Sequence, residues 1–125
     1  MDKTKFSFED LEVWQKSIDF ADNILVITEK LIAINKHFRL IEQLESASTS
    51  IALNIAEGKG RYSKKEFIRF LYIARGSLFE TISLLIILSK NGLITNNQLE
   101  DLKNYASEIG KMISGLINSI ARHTL

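Results

Sequence analysis

Apolar residues recur along the chain at spacings of three and four, the mark of amphipathic helices rather than strands. In the first segment Leu11, Trp14, Ile18, Ala21, Leu25 and Ile32 trace a heptad seam in which Thr28 is the polar member. Ser7, with Asp10 three residues on, reads as a variant capping box at its start. The second segment carries Leu40, Ile41, Leu44, Ala47, Ile51 and Ile55, and Gly58 is placed to end it in a left-handed conformation. Ser63-Lys64-Lys65-Glu66 is a capping box that opens the third segment, whose seam is Phe67, Leu71, Ala74, Leu78, Ile82 and Leu85, running on to Gly92. Thr95-Asn96-Asn97-Gln98 repeats the capping signal ahead of Leu99, Leu102, Ala106, Ile109, Ile113, Leu116 and Ile120. The pattern predicts one domain, 1–125, of four helices over about residues 8–34, 38–57, 64–91 and 96–122. The links, around Asn35–His37, Gly58–Tyr62 and Gly92–Ile94, are short. Short links turn consecutive helices antiparallel, so the expected fold is all-α, an up-down-up-down four-helix bundle, with a longer helical array as the alternative.

The first helix holds more apolar surface than one seam needs. Phe20, Ile24, Ile27, Leu31 and Ile34 form a second stripe beside the first. The third helix is apolar nearly all round between Ile82 and Leu88, and the second from Ile51 to Ala56. Wide apolar coverage points to a second buried surface, and Phe20, Ile24, Ile27 and Leu31 become the candidate interface of a homo-oligomer. A wide core face with scattered exposed apolar residues is the alternative.

Composition narrows the chemistry. The 125 residues contain no Cys, no Pro and two His. Without Cys there are no disulfides, thiolate metal sites or Cys nucleophiles, which suits a reducing compartment. Without Pro, long uninterrupted helices are favoured over a loop-rich β fold. The start of the chain lacks the apolar core of a signal peptide, and the run Leu84–Leu88 is far short of the roughly 20 residues of a membrane span. The expectation is a cytoplasmic protein with no membrane association.

Candidate catalytic and metal constellations fail on their residues. A ferritin-like di-metal bundle needs Glu three residues before each His, and Ile34 and Ile120 precede His37 and His123. Both His fall at helix ends, where a solvated imidazole is ordinary. The glycine-rich run Gly58-Lys59-Gly60-Arg61-Tyr62-Ser63 follows a helix rather than a strand and has no Gly-Lys-Ser/Thr, so it is no nucleotide loop. Gly60 instead is expected to permit a chain reversal. No cofactor, metal or catalytic residue is expected.

Charge is more telling. Lys59, Arg61, Lys64, Lys65, Arg69 and Arg75 stand against Glu66 alone, a segment of net +5 in a chain whose total is +1. Such a concentration reads either as a footprint for an anionic polymer, with Tyr62 and Tyr72 as stacking surface, or as a solvated helix face paired with Glu57 or Glu80.

The wording of the chain weighs between these. Asn54-Ile55-Ala56-Glu57-Gly58, then Gly60-Arg61, Ser63, Lys65-Glu66-Phe67, Phe70-Leu71, Ile73-Ala74 and Gly76-Ser77-Leu78-x-Glu80 resemble one bacterial family. So does the opening Phe8-x-Asp10-Leu11-x-Val13-Trp14-Gln15-Lys16. It is the family of four-helix-bundle proteins encoded in intervening sequences of large-subunit ribosomal RNA genes, related to the accessory variability determinant of diversity-generating retroelements. The resemblance implies a non-enzymatic cytoplasmic homo-oligomer, typically a pentamer, whose partners besides itself are RNA or DNA, or a protein. On it, Lys59, Arg61, Lys64, Lys65, Arg69 and Arg75 are the candidate nucleic-acid contacts. Asn54, Glu57, Gly58, Gly60, Ser63, Glu66 and Glu80, with Arg61, are the candidate structural corner between the second and third helices. Ala74, Gly76 and Ser77 look like a small-residue patch for a close helix approach. The chain departs from the family at Gln43-Leu44-Glu45-Ser46-Ala47, where two basic residues are usual, and at Ala52, where Pro is common.

Overall fold

The computed structural model describes residues 3–34 and 37–123. A one-turn 3₁₀ segment, Ser7–Asp10, leads into four helices: α1 (Glu12–Ala33), α2 (Phe38–Lys59), α3 (Lys64–Lys90) and α4 (Asn96–Arg122). Each helix packs on the next and α4 returns to α1, while the backbones of the diagonal pairs stay more than 8 Å apart, Cα to Cα, among the described residues. The result is an antiparallel, up-down-up-down four-helix bundle, as the short links dictate. The expected link around Asn35–His37 lies partly outside the described residues, at 35 and 36; His37 itself sits in the left-handed region at φ 55°.

The starts of the helices differ in how they are capped. Thr95 accepts a hydrogen bond from the Gln98 amide at 3.0 Å, and Gln98 Oε1 accepts one from the Thr95 amide at 2.8 Å, a complete capping box. Ser63 accepts from the Glu66 amide at 3.0 Å, but the Glu66 carboxylate turns away to Arg69 at 2.9 Å. Only half of that expected box forms. The Ser7–Asp10 box does not form either: Glu9 accepts from the Phe6 amide at 2.8 Å, and α1 begins at Glu12 rather than near residue 8.

The core corrects the assignment of faces on α1. Phe20 and Ile24 are completely buried, Leu31 is 6% exposed, and Ile27 packs against the same cluster. With Val13 and Ser17 they form the true seam, Val13-Ser17-Phe20-Ile24-Ile27-Leu31, spaced four and three. They cannot be an oligomer interface, because the protomer already covers them. Of the seam expected inside, Ala21 and Thr28 are buried and Leu11 and Trp14 pack on the core, but Ile18, Leu25 and Ile32 are 40%, 38% and 41% exposed. The distinguishing signal is charge: Asp22 and Glu29 lie on the outer stripe, whereas the inner one is broken only by Ser17. The buried Ser17 hydroxyl donates to the Val13 carbonyl at 2.7 Å. Thr28, also buried, donates to Glu45 at 2.6 Å, which ties α1 to α2.

Elsewhere the seams hold. Ile41, Leu44, Ala47, Ile51 and Ile55 of α2 meet Leu71, Ala74, Leu78 and Leu85 of α3 and Leu102, Ala106, Ile109 and Ile113 of α4. By length and mean hydropathy (1.6) α3 matches a membrane span, yet its Leu71, Ala74, Leu78 and Leu85 belong to this core. The α3–α4 turn is a Schellman motif: Gly92 at φ +72°, Leu93 amide to Leu88 carbonyl at 2.9 Å, Gly92 amide to Ser89 carbonyl at 3.1 Å.

Gly58 is required for a different reason from the one expected. Helix α2 continues through Lys59, and Gly92 is the one glycine with positive φ among the described residues. A Cβ on Gly58 would stand 2.7 Å from Phe70 Cβ and 3.3 Å from the Phe67 carbonyl oxygen. The glycine lets α3 come close to the α2 backbone. Gly60 is right-handed (φ −79°), and a Cβ there meets only ordinary contacts, so no unusual backbone makes the reversal. Around Gly76 nothing lies within 4 Å.

Two outcomes follow. Gly58→Ala should destabilise by about 1–3 kcal/mol through overpacking, whereas Gly76→Ala should stabilise by about 0.5–1 kcal/mol through helix propensity; chemical denaturation reads both. Ile24→Glu should abolish the folded circular-dichroism melt, and Leu25→Glu should keep it, because only Ile24 is in the core.

Candidate nucleic-acid interface

The turn Gly60–Ser63 and the first two turns of α3 place most of the basic segment at one end of the bundle. Arg61 and Arg69 stack on the same ring, Phe70, with guanidinium carbons 4.8 and 4.7 Å from its centroid. Such contacts hold a cation in place while leaving part of its hydrogen-bonding edge available. Lys59 lies 6.0 Å over the Phe67 ring. Lys59, Arg61 and Lys64 share a shallow hollow with Tyr62, which is fully exposed. Lys65 is exposed on the opening turn of α3.

Two acidic residues temper this charge. Glu57 pairs with Arg61 at 2.8 Å and Glu66 with Arg69 at 2.9 Å. The hydrogen bond from Arg69 holds the Glu66 carboxyl below its usual 4.5, helped by the charges of Arg69, Arg61 and Lys65 and opposed by desolvation. Five cations against two carboxylates leave a local net charge of +3. Lys64 has a second duty that sequence reading missed. Its Nζ donates to the His123 carbonyl at 2.8 Å, satisfying an open carbonyl at the C-terminus of α4. This contact also brings the last turn of α4, with Arg122, to the cluster. Nothing local in the sequence signals a contact across 59 residues.

Two candidates fall outside the cluster. Arg75 lies further along α3, over the Tyr72 ring at 4.8 Å and donating to Ser114 on α4 at 3.2 Å. Glu80 does not join the corner; it accepts from Gln43 at 3.5 Å. Nor do Asn54, Glu57 and Arg61 form one network. Asn54 donates to the Ser50 carbonyl and hydroxyl, both at 2.8 Å, and the Ser50 hydroxyl meets that of Ser77 at 3.0 Å across α2 and α3. The small Ser77 thus makes a contact within the protomer. Among the described residues no group of three or more His, Cys, Asp or Glu is gathered as a metal site would need.

The profile of the 23S rRNA-intervening sequence protein family matches residues 9–115. The chain belongs to this family. A crystal structure of a protein of unknown function from the S23 ribosomal protein family of Bacteroides thetaiotaomicron VPI-5482 is similar to it: 33% identity, TM-score 0.80, covering 84% of this chain and 97% of that one. No curated protein matches. No catalytic family is indicated by either likeness. Within this intervening-sequence family member, the matched span takes in the whole Gly58–Arg75 segment.

The Glu66 contact gives a pH prediction. Its carboxyl titrates lower when folded, so its contribution is present above pH 4.5 and is lost as pH falls through the folded value. Below pH 4.5 the wild type should lose more melting temperature than Glu66→Gln does.

Proposed function

We propose that this protein is a non-enzymatic, homo-oligomeric helical bundle of the bacterial cytoplasm that binds nucleic acid, structured RNA above all, through backbone phosphates. The observation that carries the reading is the cationic corner, Lys59, Arg61, Lys64, Lys65 and Arg69 around an exposed Tyr62. A phosphate backbone fits it in three ways. The N-terminal amides of α3 at Lys64 and Lys65 form the positive end of the helix dipole and point toward an approaching anion. Lysine ammonium groups add point charge, and two guanidinia held on Phe70 offer planar donors. Tyr62 supplies a ring on which an unpaired base stacks. Arg75, apart from the corner, has no part in this contact. The family's association with ribosomal RNA genes agrees in ligand class. In a homo-oligomer, a pentamer as the family resemblance implies, repeated corners raise avidity without new contacts. The alternative, a scaffold that docks a partner protein and binds no nucleic acid, draws on Arg61 and Arg69 being already paired with acids.

Fluorescence anisotropy with an RNA hairpin decides between them. The wild type should bind at micromolar or tighter affinity near 50 mM salt, weakening steeply as salt rises and with little base preference. Lys59→Gln with Lys65→Gln should lower the slope of log K against log salt by roughly 1.4–1.8 per bound site, since each phosphate contact contributes about 0.7–0.9. Lys64→Gln should in addition lower the melting temperature, through the α4 terminus. An absence of salt-dependent binding would hand first place to the scaffold.

A further inference from the structure

The outer face of α1 and the groove between α3 and α4 are complementary. Ile18, Asp22, Leu25, Glu29 and Ile32 succeed one another at spacings of four and three, so they form one stripe along α1, and all five are exposed. Three apolar side chains thus alternate with two carboxylates. Three exposed aliphatic residues in one line on a small protein form an apolar strip that water solvates poorly.

On the other side of the square, a groove of about 620 Å³ opens between α3 and α4. Its apolar lining includes Leu78, Phe79 and Ile82, and its charged lining residues are Arg75, Lys103 and Lys111, with no carboxylate among them. Phe79 is well exposed there. Glu100 approaches Lys103 at 3.9 Å, too far for a strong pair. The dimensions agree: Ile18 to Ile32 spans about 21 Å and Lys103 to Ser114 about 16 Å of helix. Within one protomer the stripe does not fill the groove, since all five stripe residues are exposed and the groove stands open.

We propose that the α1 stripe of one copy seats in the α3/α4 groove of the next, with Ile18, Leu25 and Ile32 on the apolar floor and Asp22 and Glu29 against Lys103, Lys111 and Arg75. The two surfaces differ, so the contact is heterologous. It closes into a ring or runs on as a filament and does not make a two-fold dimer. This rests on the oligomeric part of the function proposed above, and its test reads mass, independently of nucleic-acid binding.

The experiment is light scattering coupled to size exclusion on the full chain at low salt, with circular dichroism to verify folding. The wild type should exceed twice 14.2 kDa. Asp22→Lys with Glu29→Lys should reduce the mass to that of a monomer, and so should Lys103→Glu with Lys111→Glu. Mixing the two folded double variants should restore association, because each stripe then faces a groove of opposite charge. A wild-type monomer, a two-fold dimer, an assembly unmoved by either double variant, or no association on mixing overturns the proposal. So does native mass spectrometry that finds the groove filled by a small amphiphile.

Discussion

The close approach of α3 to α2 at Gly58 is the constraint on which the cationic end of the molecule depends. With no Cβ at that position, Phe67 and Phe70 come down onto the α2 backbone, and the chain leaves Lys59 only four residues before α3 begins. Phe70 then serves two purposes. It fills the crossing, and its ring carries Arg61 from the turn and Arg69 from the helix. A cationic corner built on an apolar wedge does not need its like charges to attract; burial of the aromatic side holds them together. Glu57 and Glu66 relieve part of the repulsion.

The opposite requirement shapes α1. Two apolar stripes share one helix, and the bundle buries the one without charge. The stripe left outside is apolar and acidic, while the groove across the bundle is apolar and basic. A protomer with these two faces has uneven charge despite a total of +1. Electrostatic complementarity of this kind selects the partner and register more than it adds affinity.

The helix count, the order, the α2, α3 and α4 seams and the Thr95 cap were legible from periodicity and capping chemistry, because each depends on neighbours three or four residues away. What was not legible depends on the third dimension. The two α1 stripes are equally periodic, so period alone could not orient them, although Asp22 and Glu29 carried the answer. Gly58 looked like a helix terminator because the sequence shows a glycine near a boundary and not the phenyl group above it. Five of the six basic residues proved to share a corner, but the length of α3 carries Arg75 away from them. Asn54 and Glu80, the first and last residues of the quoted motif, lie on different helices and serve different contacts.

The corner formed at the α2–α3 crossing is the surface we propose for nucleic acid. Ultraviolet cross-linking of the wild-type protein to an RNA hairpin, followed by peptide mass spectrometry, tests it most directly. The exposed Tyr62 ring should carry the main adduct, with cross-links confined to peptides from residues 59–69 and the last turn of α4. Cross-links concentrated on α1 or in the α3/α4 groove, or none at all under conditions where binding is saturated, would contradict it.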